Sequence, residues 1–339
     1  MGTTIRDVAR RAGVGSGTVS RVLNDSPRVD PATRRRILAA IAELDYEPNP
    51  SARRLSLGKT LTIGVVVVFL TRPSVVERLR GVELVLSRSG YDLTIVNVET
   101  AERRATVLRD IARPDRVDGL IIMSLSPHKE EVERIRQLGL PVVLLGAFHR
   151  RLPRIVIDDV TGGRMACQHL IDLGHTDIGF IGNHPSSPFG ISSSRLRHRG
   201  VQQALAAVGG SLRSDYVRIG ELSQHRAREL TLQLLCLPVP PTAIVCATDT
   251  QAFGALGAAK QAGFRVPEDL SIVGYDDLEI ASYIGLTTIR QPLFESGVRS
   301  AQLLLAQLRG EEVGPVREAL PIELVVRATT GPPRAPAPR

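Results

Sequence analysis

Ala12-Gly13-Val14-Gly15-Ser16-Gly17-Thr18-Val19-Ser20-Arg21-Val22-Leu23-Asn24 is the stretch that decides how this 339-residue chain is read. Before it, Thr4 and Asp7 have the form of a capping box, and Ile5, Val8, Ala9 and Ala12 make one apolar stripe. Gly13 breaks that helix. A second helix runs from about Ser16 to Asn24 and buries Val19, Val22 and Leu23. Asn24-Asp25-Ser26-Pro27 has turn chemistry. Asp30 then caps a third helix, with Pro31 at its first position and Ile37, Leu38, Ile41 and Leu44 facing inward. Two short helices joined around a glycine, in a basic segment, spell a helix-turn-helix inside a small all-α head of residues 1–47.

Outward from the head, Pro48-Asn49-Pro50-Ser51-Ala52-Arg53-Arg54-Leu55-Ser56 is too short for a stable isolated helix, and by composition alone residues 48–60 read as a linker. After Thr60 apolar strands alternate with amphipathic helices. The strand candidates are Leu61–Val68, Asp92–Asn97, Gly119–Met123, Val142–Leu145, Ile155–Ile157, Ile178–Ile181, Ala243–Cys246, Leu270–Gly274 and Leu320–Val326. Val75, Leu79, Val82 and Leu86 recur at helical spacing between the first two. Unbroken apolar strands linked by helices imply parallel sheets covered on both faces, and the body has room for two such α/β units. The Pro-, Ala- and Arg-rich stretch 331–339 reads as a disordered tail.

Composition bounds the function. Hydrophobic residues make up 43% and charged residues 23%, a balance that builds a sizeable core and argues against disorder. The longest apolar run, Leu61 to Leu70, is too short to span a bilayer, and no apolar stretch follows the first charge, so a cytoplasmic protein without a secretory signal is expected. Cys167, Cys236 and Cys246 include no CxxC pair and fit reduced thiols better than disulfides or a metal cluster. The net charge is +8, and residues 1–60 hold 11 basic against 6 acidic residues. A basic head on a nearly balanced body fits a polyanion-binding module. Lys59, Lys129 and Lys260 are the lysines, so 40 of the 43 basic residues are arginine, a bias more readily ascribed to base composition than to function.

The stretch AGVGSGTVSRVLN resembles the DNA-reading segment of the lactose-repressor (LacI/GalR) family of bacterial transcription regulators. The resemblance continues, in order, through YEPNPSARRL (46–55), RGVE (80–83), HLIDLGHTDIGFIG (169–182), VGYDD (273–277) and LTTIRQP (286–292). It implies an operator-binding homodimer on a near-palindromic site, with Ser16 and Gly17 at the base-choosing positions. Arg21 is one turn on, where a guanidinium forms a bidentate pair with guanine. Thr18 and Ser20 go to phosphates or to holding the turn, and Thr4 and Asn24 also fall among the DNA contacts. Gly17 departs from the family, which carries a side chain there. The stretch 48–60 resembles the hinge: Asn49 caps it, Ser51, Ala52 and Arg53 approach DNA, and Leu55 wedges between minor-groove base pairs.

The resemblance divides the body, 61–330, into two periplasmic-binding-protein-like lobes. The first takes about 61–153 and 291–318, the second about 154–290 and 319–330. A small effector, carbohydrate in class, sits between them. Arg197 in RLRHRG is its clamp and Asp276 in VGYDD its carboxylate acceptor, while Asp249 reads as a helix cap. Ser74 and Val75 replace stacking aromatics, Gly146 an Asp, Thr248 an Asn, and Leu222 an aromatic. These departures imply a roomier cavity, poorer in polar groups, for a di- or oligosaccharide, with Phe69 and Phe148 supplying aromatic surface. Arg72 and His149 fall at its mouth; Arg150 and Arg151 read as surface charge. Dimerisation is expected through helices such as Val75–Leu86.

Other classes have less behind them. The chain has no P-loop, GxSxG or HExxH motif, its histidines lack metal-ligand spacing, and no cofactor or membrane partner is implied. Asp158-Asp159 and Asp276-Asp277 are adjacent carboxylates on strand ends, which point apart. A regulator using a co-repressor such as a purine or sugar phosphate is the nearest alternative. A free sugar-binding protein of a transport system is the more distant one.

Overall fold

The structure, a computed structural model, describes residues 3–23, 26–47, 58–184, 189, 192–313 and 317–334. It divides into two units, 1–60 and 61–339.

In the first unit α1 (Ile5–Ala12), α2 (Ser16–Leu23) and α3 (Pro31–Glu43) close on Val8, Val19 and Ile37, all fully buried. Thr4 and Asp7 make the expected box: the Thr4 N–H and hydroxyl both donate to Asp7 Oδ2, at 3.0 and 2.6 Å. Gly13 takes φ 66°, a left-handed cap that turns the chain into α2. Asp30 Oδ1 accepts from the N–H groups of Ala32 and Thr33, both at 3.0 Å. Arg11 is paired with Glu43 across α1 and α3 at 2.7 Å. Leu38, expected inside, is 51% exposed, because the inner face of α3 is set by Ile37 and Ala40, one position round the helix.

The second unit carries two six-stranded sheets. Its elements run β1 (Thr62–Val68), α4 (Pro73–Leu86), β2 (Asp92–Val98), α5 (Ala101–Ile111), β3 (Gly119–Met123), α6 (Lys129–Gln137), β4 (Val142–Leu145) and β5 (Arg154–Ile157). Then come α7 (Asp159–Asp172), β6 (Ile178–Asn183), α8 (Ser193–Ala207), β7 (Val217–Gly220), α9 (Gln224–Leu235), β8 (Ala243–Cys246), α10 (Asp249–Gln261) and β9 (Ser271–Asp276). The last are α11 (Glu279–Tyr283), β10 (Thr287–Arg290), α12 (Leu293–Leu308), β11 (Arg317–Leu320) and β12 (Glu323–Val325). The sheet orders are β11-β5-β4-β3-β1-β2 and β12-β10-β9-β8-β6-β7, parallel except for β12. Strand β1 shows why its run is unbroken: Ile63, Val65 and Val67 pack against α4 and α12, while Val66 and Val68 pack on the face that carries α5 and α6.

Three sequence expectations change here. Strand β5 pairs in parallel with β4 and β11, so the first lobe extends through Ile157 rather than ending near 153. The expected strand Leu320–Val326 is two strands in different sheets; Pro321, without an N–H to donate, sits where the chain crosses between lobes. The tail is ordered at its start: the Gly331 carbonyl accepts from His175 Nε2 at 2.9 Å, and Arg334 pairs with Asp269 at 3.1 Å. Residues 335–339 lie outside the described residues. The chain thus passes between the lobes after β5, β10 and β11. No helix among the described residues is long and apolar enough to cross a membrane.

Candidate functional site

In the head, α2 carries the residues singled out for base contact. Val19 and Val22 fix its inner face, which leaves Ser16, Gly17 and Arg21 exposed and Thr18 and Ser20 half-buried. Ser16 is the first helical residue and Gly15 stands before it, its carbonyl accepting from the Thr18 N–H at 2.9 Å; Ser16 is therefore not the N-cap. A Cβ at Gly17 would meet nothing within 4 Å, so its bare backbone is open. Arg21 makes no ion pair among the described residues. Asn24, Asn49, Ser51, Ala52, Arg53 and Leu55 lie outside the described residues.

In the body, both sheets reverse strand order at one point, between β1 and β3 and between β6 and β8. In open parallel sheets such points, at the carboxyl ends of the strands, are where ligands bind. Here both sets of strand ends line one cavity of about 300 Å³. Backbone strain collects at these ends too. Ser124 after β3 and Asp276 at the end of β9 take φ 55° and 132°, conformations that non-glycine residues rarely adopt.

Arg197 lies at the centre of the second-lobe wall. Gly163 on α7 lets that helix approach α8 until a Cβ would stand 2.1 Å from the Arg197 carbonyl. The crossing sets Asp159 Oδ1 2.8 Å from Arg197 Nε. Arg197 Nη1 also donates to the Ala247 carbonyl, lies 3.9 Å from Asp276 Oδ1, and the guanidinium stacks 3.5 Å over Tyr275. Burial works against its charge, but Asp159, Tyr275 and Asp276 together raise its pKa. Burial pushes the Asp276 carboxyl up to about 6, with Arg197 pulling the other way. Asp277 points elsewhere, paired with Arg290 and Arg327 at 2.7 Å each, as expected of adjacent residues.

Gln291 joins the lobes at the second crossing. Its Nε2 donates to Asp276 Oδ1, and its Oε1 accepts from Arg78 Nη2 at 3.2 Å. Arg78 Nη1 is 3.5 Å from Ser124 Oγ. Neither Arg78 nor Gln291 was singled out from the sequence. The signal for Arg78 was there: it stands inside the apolar stripe of Val75, Leu79 and Val82, where a charge has no reason to be unless a cavity receives it. Gln291 stands in LTTIRQP (286–292), a pattern that assigns it no role, and in sequence Asp159 is only one of two adjacent acids.

Of the expected ligand residues, Ser74, Gly146, Arg197, Leu222, Thr248 and Asp276 line the cavity. Phe69 does not: it packs edge-on against Phe189, 5.4 Å between centroids, with Arg72 over its other contact surface at 4.1 Å. Phe148 does line it, whereas His149, Arg150 and Arg151 border a separate surface depression with Lys129 and Glu133. Thr248, not Asp249, is the cap of α10; it accepts from the Gln251 N–H at 3.2 Å. Asp249 is fully buried and accepts from Thr288 Oγ1 at 2.6 Å and the Leu278 N–H at 2.8 Å. The expectation of a wall poor in polar groups fails outright. Arg72, Arg78, Arg154, Arg197 and Arg317 line the cavity against Asp159 and Asp276.

Residues 4–49 match the family described as bacterial regulatory proteins, lacI family, and residues 167–330 match the periplasmic binding protein-like domain. The chain is 34% identical to the HTH-type transcriptional repressor CytR of Escherichia coli (strain K12), over 96% of each chain. It belongs to the LacI family. Among solved structures, the Lac repressor dimer bound to operator and the anti-inducer ONPF matches with TM-score 0.85 and 32% identity, covering 98% of this chain and all of that one. The complex of the transcriptional regulator CelR with cellobiose matches with TM-score 0.72 and 30% identity, over 96% and 99% of the two chains. As a LacI-family member the chain is a DNA-binding transcriptional regulator: a helix-turn-helix head and two parallel-sheet lobes in one polypeptide.

Proposed function

We propose that the chain acts in the cytoplasm as a homodimeric repressor, without enzymatic activity, that leaves its operator when a small carbohydrate-class molecule occupies the inter-lobe cavity. One observation carries this reading: a head with an exposed recognition face is continuous in sequence with a body whose cavity is lined from both lobes. A ligand held by Arg78 on one side and by Arg197 and Asp276 on the other stabilises one lobe arrangement over another. By linkage it then changes operator affinity by its differential affinity for the two arrangements. Ser16 and Arg21 read bases, Gly17 offers only close backbone approach, Thr18 and Ser20 hold the backbone, and Leu55 in the 48–60 hinge wedges the minor groove. A single head is too small for operator-grade affinity, so two are needed. Exposed Val76 and Leu84 on α4, and Ile280 and Tyr283 on α11, offer apolar surface for the dimer.

The test is selection of a random duplex pool by the full-length chain. The enriched site is expected to be a near-palindrome with half-sites about one helical turn apart. Arg21→Ala is expected to lose about 1–3 kcal/mol of preference for it while binding to random DNA survives. Equal losses on both would reassign Arg21 to phosphate, and a pool without an enriched sequence would overturn the reading. A ligand that tightens operator binding would favour the co-repressor alternative.

A further inference from the structure

Many surface arginines of this protein sit beside an acid: Arg113 beside Asp115, Arg213 beside Asp215 and Arg265 beside Asp269, at 2.7, 2.6 and 2.8 Å. The first-lobe wall of the cavity is different. Arg78 is 8% exposed, has no carboxylate within 4.0 Å among the described residues, and leaves its buried Nε without a hydrogen-bond partner. Gly146 adjoins it in the cavity wall: a Cβ there would stand 3.4 Å from Arg78 Nη1, so the bare glycine leaves the guanidinium uncovered on that side. Arg154 and Arg317 are register partners on the adjacent parallel strands β5 and β11, and both line the cavity. Like charges directly paired across strands are unfavourable. Neither forms an ion pair among the described residues; Arg154 only donates to the His149 carbonyl, at 3.2 Å, and rests on Phe148. The two carboxylates of the cavity, Asp159 and Asp276, are both engaged by Arg197.

A buried guanidinium without a carboxylate partner, beside two side-by-side arginines lining one small cavity, is a site built short of negative charge. We propose that the ligand of this cavity is anionic: a polyol-sized molecule carrying a phosphate or a carboxylate. Its anionic group is received by Arg78, Arg154 and Arg317, and its hydroxyls by Asp276 and Arg197. Guanidinium forks match both oxyanions bidentately, and desolvation inside the cleft strengthens the bond. The arginine-rich composition does not account for the wall, since a bias spread along the whole chain gives no reason for Arg78, Arg154 and Arg317 to gather in one cavity. The inference rests on the cavity's being the effector site.

The test is calorimetry on the full-length chain at constant ionic strength, with inorganic phosphate, glucose 6-phosphate, glucuronate and glucose as probes. Inorganic phosphate needs no particular sugar scaffold, and its saturable binding below about 10 mM is expected, with each charged sugar at least about tenfold tighter than glucose. The order of the phosphate and carboxylate sugars tells which oxyanion the wall prefers. Arg78→Gln is expected to weaken phosphate binding at least about tenfold, and the double variant Arg154→Gln/Arg317→Gln to do the same. The double variant lies towards the sheet edge and keeps the test open should Arg78→Gln not fold. Absence of saturable phosphate binding, equal affinity for glucose and its phosphate, or unchanged phosphate affinity in the folded variants would overturn the proposal. Neutral-sugar binding without phosphate binding would overturn the anion assignment alone and leave the effector site standing.

Discussion

Arg197 holds together two carboxylates that have no other cation within ion-pairing distance among the described residues, which gives it a structural role beside the ligand clamping proposed for it. Arg197→Ala leaves Asp159 and Asp276 buried and unpaired. Urea unfolding of the body is therefore expected to show a loss of about 3–5 kcal/mol alongside the loss of ligand response. Unchanged stability with the response gone would make Arg197 a ligand group only. Asp249 carries the clearest pH signature. Burial, then the neighbouring Asp276, pushes its carboxyl up to about 7. Because the folded pKa lies above the unfolded one, the folded state holds the extra proton, and stability falls as pH rises from about 4 to 7. An asparagine keeps an acceptor for the Leu278 N–H and offers a donor to Thr288. Asp249→Asn is thus expected to be more stable to urea unfolding than the wild type at pH 8, by on the order of 1–3 kcal/mol, with the gap closing by pH 5. A variant less stable at both pH values would contradict this. The sequence placed Asp249 at a helix start correctly but gave no sign that strand β10 would supply its hydroxyl partner 39 residues on.

At the scale of elements, close helix crossings set the site. Gly163 and Gly200 let α7 and α8 touch backbone to backbone; a Cβ on either would stand 2.1 Å from a carbonyl oxygen of the other helix. Neither carbonyl can move like a flexible side chain. Gly163→Ala is expected to cost about 1–3 kcal/mol or more and to loosen the Arg197–Asp159 pair, so thermal unfolding and ligand affinity should fall together. An alanine variant as stable as the wild type would show that the helices can separate freely. The elements themselves were legible wherever burial on both faces produced an unbroken apolar run, as in Val65–Val68, Gly119–Met123 and Ala243–Cys246. Strands β7 (VRIG) and β10 (TTIR) escaped notice because arginine and threonine interrupt that run. Their pairing is set by neighbours in the sheet and not by their own hydropathy.

At the scale of the whole molecule, the cavity is where sequence reading lost its grip. Arg197 and Asp276 stand in motifs and were found. Arg78 and Gln291 meet across 213 residues, and no local pattern announces a contact between residues so far apart in the chain. The same juxtaposition gives the molecule its means of control, since a ligand touching both walls biases how the lobes are arranged. Operator affinity as a function of cavity occupancy tests this most directly. Fluorescence anisotropy of the selected operator with full-length protein, titrated with the tightest-binding probe of the calorimetric panel, measures it. Operator affinity is expected to fall about 5–150-fold and level off once the cavity is full, with Arg197→Ala blind to the ligand. An operator affinity that stays constant through saturation of the cavity would contradict the account.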